Sequence, residues 1–79
     1  MPTIHTIGTV KVIIRAAGHP LPHIHARNED GTEAVIQISD LSVRCSDLPL
    51  TALRDVLDWM ATKHEWLALQ WLIINDPVW

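Results

Sequence analysis

His23-Ile24-His25-Ala26-Arg27, Asn28-Glu29-Asp30-Gly31 and Glu33-Ala34-Val35-Ile36-Gln37-Ile38 read in succession as strand, turn and strand. Period two governs both outer runs. His23, His25 and Arg27 point one way and Ile24 and Ala26 the other; Ala34, Ile36 and Ile38 share one face and Glu33, Val35 and Gln37 its reverse. The Asp-Gly step between them carries the hairpin signature. Upstream, Ile4 to Ile7 and the β-branched run Val10 to Arg15 flank Gly8 and suggest a first hairpin, with Ala16 to Pro22 as a proline- and glycine-bearing loop. Downstream, Leu41 to Cys45 reads as a last short strand, with Leu41, Val43 and Cys45 inward.

After Ser46-Asp47 the period lengthens. Leu50, Leu53, Leu57, Met60, His64, Leu67, Trp71 and Ile74 recur every three or four residues, which predicts one long amphipathic helix or two joined near Lys63. Pro49 is placed to start it and Pro77 lies beyond its end. The expected fold is α+β: one domain spanning 1–79, with a small antiparallel sheet of four to five strands over 3–45 and a helical segment over 49–75. Packing the apolar stripe on the apolar sheet face hides both.

Composition limits what such a chain can do. At 79 residues with 48% hydrophobic and 19% charged residues it is globular, and its size allows burial of only roughly 60 to 65% of its unfolded surface. The net charge of -3 is uneven. Lys11, Arg15, Arg27 and Arg44 balance Glu29, Asp30, Glu33 and Asp40 in the first 45 residues, whereas Arg54 and Lys63 face Asp47, Asp55, Asp58, Glu65 and Asp76 beyond. A global basic footprint for nucleic acid is absent, and a local one is open. Cys45 stands alone, which rules out an internal disulfide and fits a reducing compartment. The N-terminus lacks the pattern of a signal peptide, and the longest apolar stretch, Trp66 to Ile74, is shorter than the roughly 18 residues of a membrane span. The expected setting is cytoplasmic.

The second face of the sheet gathers Lys11, Ile13, Arg15, His23, His25, Arg27, Glu33, Gln37, Ser42 and Arg44 if the alternation holds. Histidines two apart on a strand project to one side about 6.5–7 Å apart at the backbone, near enough to share a ligand. Three readings stay open. His23 and His25 can serve as an acid and a base at neutral pH while Arg27, Arg15, Lys11 or Arg44 holds a phosphodiester, with no cofactor required. They can ligate zinc with His5, His19 or Glu33 as a third donor, although no spacing fixes that donor. Or they satisfy backbone groups at the start of a strand.

Cys45 has the parity of Leu41 and Val43 and reads as a core residue rather than a nucleophile, and His64 lies in the helix stripe. Apolar residues surround the C-terminal segment on almost every side. Trp66, Trp71, Ile73 and Trp79 are therefore candidate contacts with a partner protein or a second copy, the alternative being that Trp66 and Trp71 complete the core.

These residues together resemble a known family. Met1-Pro2-Thr3-Ile4, Gly18-His19-Pro20-Leu21-Pro22, His23-Ile24-His25-Ala26, the Glu33-Ala34 return and the helix ending at Trp71 look like the small bacterial domain of unknown function 4160, over nearly the whole chain. Its Pro-Pro-His-Val-His-Val segment falls on Leu21 to Ala26, with Leu21, Ile24 and Ala26 departing from it. The resemblance implies a small partner protein encoded nearby and, in some members, the toxin role of a two-component toxin-antitoxin module of the DhiT type. A toxin acting on RNA or translation is the leading expectation; a non-enzymatic binding module, antitoxin-like or regulatory, and a small metal-binding protein are the alternatives.

Overall fold

The computed structural model describes residues 3–14 and 22–75. Five strands come first: β1 (Thr3–Ile7), β2 (Val10–Ile13), β3 (His23–Asn28), β4 (Glu33–Gln37) and β5 (Val43–Ser46); two helices follow, α1 (Leu50–Thr62) and α2 (His64–Asn75). Every neighbouring pair is antiparallel and the sheet order is the chain order. The α+β expectation holds, with five strands and two helices.

Turn chemistry fixes the two inner hairpins. Gly8 has φ +57 and begins a two-residue turn in which Ile7 faces Val10, the geometry in which only the first turn position is left-handed. Gly31, at φ +93, lies in the β3–β4 loop, where its N–H donates to the Asn28 carbonyl (3.0 Å) and the Asn28 N–H to that of Thr32 (2.8 Å). Asp30 accepts from both the N–H (2.9 Å) and the hydroxyl (2.6 Å) of Thr32. These bonds hold the carboxyl of Asp30 below its ordinary value, the side-chain bond most strongly.

Alternation sets the core. Val10, Val12, Ile24, Ala26, Ala34 and Ile36 turn to one face and join Ile14, Ile38, Leu48, Val56, Met60, Leu67 and Trp71 in a single buried cluster. Each large aliphatic side chain so buried contributes roughly 1.5–3 kcal/mol of transfer free energy. Both helices thus cover the same side of the sheet.

The fifth strand differs from expectation. Asp40 accepts the Ser42 N–H (3.0 Å), Leu41 takes φ +59, and the strand begins only at Val43. Its register then slips between Val35 and Ile36, leaving Arg44 as the additional residue between Val43, opposite Ile36, and Cys45, opposite Val35. Cys45 is consequently exposed, on the sheet face away from the helices, and is not the core residue that its parity suggested.

Pro49 starts the first helix as its sequence position indicated, its carbonyl accepting from Leu53 (3.0 Å). Leu50, in the first turn, is 70% exposed, and Val56 and Met60 are the residues that α1 buries. A break at Lys63 separates the helices. The Thr62 hydroxyl donates to the Trp59 carbonyl (2.8 Å) and the Lys63 N–H closes a tighter turn on Met60 (3.1 Å). His64 is exposed, contrary to its place in the stripe, because Nε2 donates to the Ser39 carbonyl (3.1 Å) at the β4–β5 connection. Among the described residues no helix is long and apolar enough to cross a membrane.

Candidate functional site

Cross-strand pairing builds the second face. Lys11 lies opposite Arg27, Ile13 opposite His25, Arg27 opposite Glu33, His25 opposite Val35 and His23 opposite Gln37. Directly paired residues point to the same side, so β3 presents His23, His25 and Arg27 between flanking strands. The alternation read from the sequence is the one that positions them.

At one end the two imidazole rings meet edge to face, with centroids 5.1 Å apart and planes at 65°. Nδ1 of His25 is 3.5 Å from Oε2 of Glu33, and the side chains are 14% and 35% exposed. His23 also packs against Trp71, at 5.1 Å between ring centroids. Ile13, beside His25, is 7% exposed although it is outside the main core cluster. This end is therefore largely closed. It brings together two groups that can exchange protons and a carboxylate that can orient one of them.

Toward the other end the face opens. Lys11 and Arg27 are both exposed, and between them and the two turns runs a groove of about 430 Å³ that also includes Thr6, Thr9 and Glu29. The Thr9 hydroxyl donates to Oδ1 of Asn28 (2.6 Å), and the Glu29 N–H donates to both that oxygen (3.0 Å) and the Thr9 carbonyl (3.1 Å). Sequence reasoning placed the two cations here. It missed the groove, because the bonding of one hairpin turn to the other leaves no trace in either turn's own residues.

The remaining expected site residues are more scattered. Arg44 lies two strands from β3, where its Nη1 donates to Oε1 of Gln37 (2.8 Å). Ser42 precedes β5 rather than belonging to a strand. His5 is on the helix side, stacked on Trp59 at 4.4 Å with planes 2° apart, so it does not supply a third ligand to the His23–His25 pair. Among the described residues no cluster of three His, Cys, Asp or Glu side chains is arranged to hold a metal ion. Arg15, His19 and Trp79 lie outside the described residues.

Of the expected partner-contact residues, Trp71 is corrected: it is 6% exposed and belongs to the core cluster, with its ring against His23. Trp66 and Ile73 are exposed, at 39% and 63%, and Leu69 and Leu72 join them on the outer side of α2.

No curated protein and no solved structure matches the chain. One family model does, the domain of unknown function DUF4160, over residues 10–72. That span holds β2 to β5, α1, the His23–His25 pair with Glu33, both groove cations and most of α2. With most of its length, its sheet and its histidine segment inside the match, this chain belongs to the DUF4160 family.

Proposed function

We propose that this protein is the toxin component of a bacterial two-component toxin-antitoxin module, acting in the cytoplasm on RNA through His23 and His25. The observation that carries the reading is the packing of the two imidazoles at 5.1 Å with Glu33 at 3.5 Å from one of them. A pair so placed suits metal-independent cleavage of a phosphodiester. One imidazole takes the proton of a 2′-hydroxyl, whose oxygen bonds to the adjacent phosphorus. The other gives a proton to the departing 5′-oxygen, and a cyclic phosphate and a free 5′-hydroxyl remain. Glu33 orients the His25 ring, as carboxylates do for catalytic histidines elsewhere. Arg27, one same-face step along β3, supplies positive charge for the phosphate.

Expression of the chain alone in a bacterial host tests this. Growth arrest with loss of bulk RNA is expected for the natural sequence and not for His23→Ala/His25→Ala at equal protein level, with circular dichroism to verify that the variant folds. Arrest that persists in the folded double variant would remove the catalytic assignment.

A second reading, a binding module that acts by occupying a protein, is favoured by the outer side of α2, where Trp66, Leu69, Leu72 and Ile73 are exposed together. It expects harm, or its neutralisation, to depend on those residues and not on the histidines.

A further inference from the structure

We propose that the groove between the β1–β2 and β3–β4 turns binds the phosphate backbone of single-stranded RNA, holding the strand that the histidine pair acts on. The inference names the substrate of that pair and so rests on the reading above.

Three features of the groove point to an anion. Lys11 and Arg27 sit directly opposite each other, a like-charge arrangement that costs stability in an antiparallel pair unless a counter-charge lies between or above them. Among the described residues neither makes an ion pair, since the carboxylate opposite Arg27, Glu33, is drawn to His25. The groove is also held ready: two hydrogen bonds join Thr9 of the first turn to Asn28 and Glu29, and the Glu29 N–H also donates to Oδ1 of Asn28 beside it, so the groove exists before any ligand arrives. Finally, a Cβ placed on Gly8 or Gly31 would meet nothing within 4 Å, which leaves both rims open to a ligand's backbone.

Geometry favours a strand over an isolated phosphate. Arg27, His25 and His23 are consecutive same-face positions on β3, roughly 6.5–7 Å apart, so an extended chain with a phosphate at Lys11 and Arg27 has its neighbouring linkages along the line leading to the histidines. Among the described residues Glu29 is the single carboxylate lining the groove, and it opposes the anion. Its presence gives the proposal a test of sign.

The probe is a fluorescein-labelled 2′-O-methyl RNA of about ten nucleotides, which cannot be cleaved through its 2′-oxygen, followed by anisotropy against the full chain. Binding is expected with a slope of log affinity against log salt near -1.4, about 0.7 for each of two neutralised phosphates. Lys11→Gln/Arg27→Gln weakens binding roughly tenfold and flattens the slope. Glu29→Gln tightens it roughly two- to fivefold, the effect of one exposed charge, whereas damage to the fold would weaken it.

No binding of the oligonucleotide, equal binding by the Lys11/Arg27 variant, or capture of inorganic phosphate without the oligonucleotide would each overturn the groove. RNA loss that needs the histidines but is indifferent to Lys11 and Arg27 refutes the groove, removes Arg27 from the cleavage step and spares the assignment to the histidine pair. Charge-dependent binding alongside histidine-independent toxicity does the reverse.

Discussion

Asp30 and Gly31 show how much one turn depends on single residues. Gly31→Ala forces a Cβ into φ +93, a cost of roughly 1–2 kcal/mol that denaturant titration will read as a lower midpoint at unchanged slope. Asp30 contributes to the pH dependence of stability. Its carboxyl is held below the ordinary 3.8 by Thr32, so the folded state binds its proton less readily than the unfolded chain does. The stabilisation is therefore complete above that ordinary value and is lost as the pH falls through the folded one. Asp40, bonded to Ser42, acts in the same direction. Unfolding at pH 7 and pH 3 should differ less in Asp30→Ala than in the natural chain, and an equal difference would remove Asp30 from the account. At this scale the sequence was informative wherever a side chain's direction follows from period two, as for His23, His25 and Arg27. It misled at Cys45, because a bulge one position away reverses parity and no residue type announces a bulge there.

Elements were easier to read than their edges. The turn glycines, the Pro49 start and the apolar periods located every strand and both helices. The Lys63 break was legible as a place but not in its consequence, since the bond that draws His64 to Ser39 links residues 25 apart. Around that break the stripe resumes, and Met60 and Leu67 are each wholly buried. Met60→Ala or Leu67→Ala is expected to cost about 2–5 kcal/mol, measured by thermal or chemical unfolding. His64→Ala, which loses one exposed hydrogen bond, should cost about 0.5–1.5 kcal/mol. A comparable loss at all three positions would mean that the junction, not the buried stripe, holds the helices to the sheet.

For the molecule as a whole, the two sides of the sheet have unequal fates. One is sealed by helices. The other is closed around His25 and open around Lys11, a difference that composition could not reveal because it arises from which residues lie opposite one another. The outer side of α2 adds a third surface, apolar and exposed. Leu69→Lys/Ile73→Lys should leave the melting temperature nearly unchanged, as surface substitutions usually do. If the binding-module reading holds, the same change abolishes capture of the partner protein in a pull-down, while wild-type capture by this variant would dismiss that face.

The strictly sequential strand order also governs how the chain comes off a ribosome. Each strand finds its hydrogen-bonding neighbour in the segment made just before it, so loop closures are short and the sheet assembles without waiting for distant residues. Its apolar side has a different timetable, because Val56, Met60, Leu67 and Trp71 are all synthesised after the last strand. A nascent chain that has emerged only as far as Ser46 would present Val12, Ile24 and Ile36 bare, with two unprotected edges, β1 and β5. Such an intermediate is prone to aggregation, and in living cells its safety rests on how quickly α1 and α2 follow.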